Sequence, residues 1–136
     1  MSRLNRLTMC TVYGTFREGG KVPDDLKKIP AAFYRTANGA EPVREWLRGK
    51  SPEDRKAIGR DIARVEYGWP IGMPTCRPLG GGLFEVRTNL SGGRIARVLF
   101  CPTEGVLVLL HGFVKKTEKT PTQDLALGRS RQKDVQ

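Results

Sequence analysis

Apolar and polar positions change period several times along this chain, and the changes mark its elements. In "IPAAFYRT", residues 29–36, Ala32 and Tyr34 alternate with Phe33 and Arg35, a period of two that predicts a first strand with one polar edge. "NGAEPVREWLRG" then shifts to helical spacing, with Val43, Trp46 and Leu47 on one face. Pro42 suits the first turn, where its missing N–H is not needed, Glu41 favours the positive helix end, and Gly49 ends the segment. Ser51, with Pro52 after it and Asp54 three positions on, is the N-cap of a second helix. Its apolar face is Ile58, Ile62 and Val65, and "GWP" at 68–70 stops it. Two amphipathic helices with a tight turn between them predict a helical hairpin.

The period returns to two in "LFEVRT", "RIARVLFC" and "GVLVLLHGF", separated by the turn signals "NLSGG" and "PTEG". An antiparallel meander is expected, with "TCRPL" as an edge partner. Phe84 and Val86 point one way, Glu85 and Arg87 the other. Arg94, Ala96, Val98 and Phe100 share a face, while Ile95, Arg97, Leu99 and Cys101 share the opposite one. The last run is apolar on both faces, as a central strand is; if it stays extended, Leu109, His111, Phe113 and Lys115 line one side. "TPTQDLALGRSR" predicts a short C-terminal helix, with Thr120 as N-cap, Pro121 in the first position and Gln123 at the capping-box position.

This order, strand, helix, helix, antiparallel strands, helix, predicts a compact α+β domain: a small, mainly antiparallel sheet with the helical hairpin on one face and a short C-terminal helix. Residues 31–127 form that domain, residues 128–136 are expected to be a basic, frayed tail, and residues 1–30 an N-terminal extension. Within the extension "TMCTVYGTF" resembles a short strand and "REGGKVPDD" a loop.

Charge narrows the partner. With 24 Lys and Arg against 14 Asp and Glu, the 136-residue chain carries a formal charge of +10, which favours an anionic partner, nucleic acid first. The surplus is not confined to a tail: residues 31–70 hold eight basic and six acidic side chains, and residues 113–136 hold six and three. Cys10, Cys76 and Cys101 are odd in number and lack C-x-x-C spacing, which argues against a disulfide framework and for a reduced, cytoplasmic setting. A zinc site from these three and His111 has no spacing to recommend it, so no metal or other cofactor is expected. "GVLVLLHGFV" is about half of a bilayer span, and no secretory pattern precedes it, so no membrane association is expected.

A sheet covered by helices on one side leaves its other face for a ligand, and that face collects Arg87, Arg97, His111, Phe113 and Lys115. Clustered cations attract phosphate and hold it through charge-assisted hydrogen bonds, and an aromatic ring beside them can stack a base. Each residue also has an ordinary reading: His111 as a hydrogen-bonded structural histidine, Phe113 as core, Arg87 as a cross-strand ion-pair partner, Lys115 and Lys116 as a solvated strand end that blunts an edge. Arg94 follows a Gly-Gly turn and belongs on the surface. "GGG" at 80–82 lacks the Lys-Ser/Thr of a phosphate-binding loop and precedes a strand, so no nucleotide loop is present.

The segment "CRPLGGGLFEVRTNLSGGRIARVLFCPTEGVLVLLHGFVKKTEKTP", preceded by "FYRTANGAEPVREWL", resembles the phage-related HigB branch of the RelE/ParE toxin superfamily over residues 31 to 127. The most specific pieces are "LFEVR", "RIARVLF" and "HGFVKKTEKTP", in that order and spacing. The resemblance implies a RelE-like fold and the toxin of a type II toxin–antitoxin pair, an endoribonuclease that cuts messenger RNA on the ribosome without metal. The ribose 2′-hydroxyl attacks the adjacent phosphate, which needs a base, a cation for the developing charge, and an acid for the 5′-oxygen.

Carried over by position, Arg97 holds the scissile phosphate, Lys115 and Lys116 serve proton transfer and charge stabilisation, and His111 is a further acid or base. Arg87, Phe113, Arg94 and Lys119 make up the expected RNA-contacting set. A helix-turn-helix antitoxin is the implied protein partner, forming a hetero-oligomer that masks the basic face. Two departures matter: residues 117–136 contain neither the tyrosine nor the C-terminal histidine that some relatives use. Two other readings therefore stand beside the nuclease: a ParE-like inhibitor of gyrase that cleaves nothing, and a decayed, RNA-binding relative.

Overall fold

The computed structural model describes residues 7–9, 29–72, 75–116 and 119–136. The proposed loop 17–25 and most of the N-terminal extension lie outside the described residues, as do Thr117 and Glu118. The described elements, in chain order, are β1 (Leu7–Met9), β2 (Ala31–Tyr34), α1 (Pro42–Arg48), α2 (Pro52–Gly68), β3 (Cys76–Gly80), β4 (Leu83–Asn89), β5 (Ile95–Thr103), β6 (Val106–Lys115) and α3 (Thr122–Val135). The strands form one six-stranded sheet in the order β1-β2-β6-β5-β4-β3. Only the β2–β6 pairing is parallel; the others are antiparallel. The result is an α+β domain with a mostly antiparallel sheet.

Strand β2 does not have the polar edge its alternation suggested. All four of its residues are buried, because it lies inside the sheet between β1 and β6 with apolar groups on both sides. On one face Phe33, Val86, Val98, Phe100 and Leu109 pack against Val43 and Leu47 of α1 and Ile58, Ile62 and Val65 of α2. Trp69, just after α2, sets its ring edge-on to Phe84 and Phe100, at 5.0 and 5.6 Å. Ser51 caps α2 as expected, its hydroxyl accepting from the Asp54 amide at 3.1 Å. Gly112 is glycine because a Cβ there would collide with the Trp46 ring, so α1 and β6 can approach closely.

The opposite face is not left for a ligand, as the sequence suggested; α3 covers it. Leu83, Leu99, Cys101, Val108, Leu110 and Phe113 form a second cluster there with Leu125 and Val135. The expected frayed tail is therefore helix to Val135, which is fully buried. What fixes it is polar anchoring that a search for an apolar stripe overlooks. Arg129 donates to the Gly80 and Leu79 carbonyls at 2.7 and 2.8 Å. Gln132 donates to Gly81 at 2.8 Å, Arg131 to Leu110 at 2.8 Å, and the Tyr34 hydroxyl to Asp134 at 2.6 Å. Gly128 lets the helix approach the sheet, since a Cβ there would sit 2.7 Å from Leu99 Cδ1. Nor does Thr120 cap α3: Pro121 occupies the cap position without a side-chain bond, and the threonine hydroxyl is used by the sheet instead.

Candidate functional site

The register of β4, β5 and β6 sets the site. Arg87 lies opposite Arg97, and Arg97 lies opposite Phe113. One row further on, Arg77, Glu85, Leu99 and His111 pair in succession, and on the other side Asn89, Ile95 and Lys115 do. Directly opposed residues share a face, so Arg87, Arg97, His111, Phe113 and Lys115 stand together on the α3 side. The alternation does not run back to Leu109, as strict period two required. The register shifts at Leu99/Phe100, opposite Leu110, and the bulge puts Leu109 on the α1/α2 side and Leu110 with His111 on the other.

Bringing these residues together also encloses two of them. Arg97 is fully buried, its Nε 3.5 Å from Oε2 of the equally buried Glu85. Its Nη1 donates to the Lys119 carbonyl at 3.0 Å, while the Thr120 hydroxyl donates to the other carboxylate oxygen of Glu85 at 2.7 Å. The segment entering α3 thus closes over the arginine, and in this conformation Arg97 is not placed to hold a scissile phosphate. Phe113 is 7 % exposed and stacked on His111 with ring centroids 5.4 Å apart, so it faces the core rather than a base. A buried ion pair of this kind offsets its own desolvation only while both partners stay hydrogen-bonded.

His111 lies at the margin of this enclosure. Its Nε2 is 2.6 Å from Oδ1 of Asp124 in the first turn of α3, with both side chains under one-fifth exposed. A carboxylate on one ring nitrogen fixes the ring and leaves proton exchange to the other. Lys115, Lys116 and Lys119 are exposed and Arg87 is half-buried; Arg87 and Lys115 by register, and Lys119 by its carbonyl on Arg97, make a basic rim beside the covered centre. Arg94 does not join them: it is held on the other side of the molecule by Asp54 of α2, at 3.0 and 3.3 Å.

As site residues, Glu85, Asp124 and Thr120 were not singled out by sequence, which read Thr120 only as a helix cap. Glu85 had a visible signal, since it alternates with Arg87 on the polar side of β4; Asp124 and Thr120 had none, because only the packing of α3 brings them to the sheet. Burial pushes the Cys76 thiol up to about 11, with the Glu85 charge adding to it, and the Cys101 thiol up to about 12. Both are inert protonated thiols at neutral pH, and among the described residues no group of three metal-ligating side chains gathers. Among the described residues, too, no helix is long and apolar enough to cross a membrane.

Comparison with known proteins adds a family to this geometry. No curated protein matches the chain. A family model described as phage derived protein Gp49-like (DUF891) matches residues 45–133, from α1 through almost all of α3 and including every residue of the face just described. The α+β architecture is compatible with a RelE-like fold. The chain therefore belongs to the Gp49-like family of phage-derived proteins, itself part of the RelE/HigB-like toxin family.

Proposed function

We propose that the protein is the toxin of a type II toxin–antitoxin pair and cuts messenger RNA on the ribosome, by attack of a ribose 2′-hydroxyl on the neighbouring phosphate. The observation that carries this reading is the gathering of Arg87, Arg97, His111 and Lys115 on one sheet face, with the Lys119 backbone closing on Arg97, in a chain of toxin-like family. His111, oriented by Asp124 through Nε2, exchanges a proton at Nδ1. Lys115 and Lys116, exposed at the end of β6, supply positive charge to the phosphate and a proton to the leaving 5′-oxygen. Arg87 holds a flanking phosphate. Arg97 reaches the reacting phosphate only when the Lys119–Thr120 segment lifts, and a helix-turn-helix antitoxin that engages the rim cations would oppose RNA at the same face.

The test is to map transcript 5′ ends after brief induction in cells. Codon-registered cuts are expected for the wild type. The burial of Arg97 favours one other reading, a toxin that binds gyrase and cleaves nothing. Growth arrest with inhibited supercoiling and no new 5′ ends would establish that alternative and remove the nuclease.

A further inference from the structure

A cleft of about 230 Å³ opens at the β4 edge of the sheet, lined by Asp61, Arg64, Thr75, Arg87 and Asn89. Asp61 and Arg64 come from the second half of α2. Arg87 and Asn89 come from the end of β4, and the Arg87 amide donates to the Thr75 carbonyl just before β3 begins. Arg87 and Asn89 stand on the α3 side by register, opposite Arg97 and Ile95. The cleft therefore wraps the sheet edge where β3 has not yet started, and Arg87 joins it to the basic face.

The lining selects a ligand class. A volume below the roughly 300–1,000 Å³ of drug-sized pockets suits one small group. A site for phosphate alone would be walled by donors, and the Asp61 carboxylate would repel it. Here a carboxylate, an amide and a hydroxyl share the wall with two guanidinium groups, so the fitting ligand presents both donors and acceptors. Asp61 is 14 % exposed and gives one oxygen to Arg64 Nη1 at 3.1 Å, whereas Arg64 itself is 59 % exposed. An ionised carboxylate has about four acceptor positions, so this pair leaves Asp61 able to accept two parallel N–H groups. Among the bases guanine offers two adjacent donors, N1–H and N2–H, together with the O6 and N7 acceptors that arginine recognises.

We propose that this cleft is a guanine-reading subsite, in which Asp61 accepts from N1–H and N2–H, Arg64 donates to O6, and Asn89 borders the base. The inference rests on the reading of the basic face as an RNA surface, and it assigns that surface a base preference at the cleft that Arg87 joins to it.

Binding of the full chain to 5′-fluorescein hexaribonucleotides, 2′-O-methylated throughout so that none can be cut, tests it by fluorescence anisotropy. The probes are uridine-rich and differ at one position: guanine, inosine or adenine. Guanine is expected to bind on the order of 10-fold tighter than adenine, with inosine, which lacks the 2-amino group, between them. Asp61→Asn, which turns one acceptor into a donor on the surface of α2, should erase the preference, and Asn89→Ala should reduce it. Equal affinities for the three probes, no binding of any, or a preference that survives Asp61→Asn would each overturn the subsite. A guanine preference that depends on Asp61 in a protein that cuts no transcript leaves the subsite standing and removes the nuclease. Transcript cleavage without such a preference removes the subsite alone.

Discussion

Arg97 shows how a residue's chemistry depends on what the fold places above it. The strand pattern assigned it the correct face, but a pattern carries no information about Glu85 and the Lys119–Thr120 segment closing over it. Removing one member of a buried ion pair leaves an uncompensated charge and costs about 3–5 kcal/mol, so Arg97→Ala should lower the urea midpoint sharply. The double variant Arg97→Met/Glu85→Leu should recover most of that loss, because neither charge is then stranded; a double variant no more stable than Arg97→Ala would show that the pair is not what holds this region. It follows that lost toxicity in Arg97→Ala does not report on catalysis. Lys115 is the informative position: it is exposed, and its truncation should change stability by no more than about 0.5 kcal/mol. In a purified ribosome assay Lys115→Ala should lower the cleavage rate on the order of 100-fold with an unchanged unfolding curve, and full activity would remove this lysine from the site.

At the level of elements, the turn after β4 is tied to the start of α2 by Arg94 and Asp54. The hydrogen bond from Arg94 holds the Asp54 carboxyl below the usual carboxylate value, with the charge of Arg94 adding to the shift. A carboxyl depressed in the folded state stabilises it fully above the ordinary carboxylate range, and that contribution disappears as pH falls through the folded value. The difference in urea midpoint between wild type and Arg94→Met should accordingly be present at about pH 6 and close toward about pH 3. A gap constant across that range would mean the pair contributes nothing titratable. Elements written by local signals were legible: Ser51 begins α2, Gly68 ends it, and the two glycine turns separate β4, β5 and β6. Elements set by distant partners were not. The bulge at Leu110 interrupts an otherwise clean apolar run, and α3 outlasts its expected end because Arg129, Gln132 and Asp134 find acceptors and donors on the sheet. The candidate face was legible for the same reason as the strands, since alternation alone gathers Arg87, Arg97, His111, Phe113 and Lys115; its closure was not.

For the whole molecule the question is whether a net charge of +10 acts diffusely or through one face. Diffuse attraction would make every exposed cation equivalent, including Lys56 on the outer side of α2, far in sequence from the rim. A directed interface would concentrate the effect in Arg87, Lys115, Lys116 and Lys119, which are half-buried or exposed, whereas Arg97 is covered. Single-stranded nucleic acid loses affinity with salt at a slope of about −0.7 per neutralised phosphate. Four engaged cations therefore predict a slope of about −3 in a plot of log affinity against log salt concentration. Lys115→Ala should flatten that slope by about 0.7 and weaken guanine, inosine and adenine probes alike, since a phosphate contact carries no base information. Lys56→Ala should leave the slope where it was. If the two lysines flatten it equally, the attraction belongs to the charge of the molecule as a whole; if only Lys115 does, RNA is held by the rim that surrounds the covered Arg97.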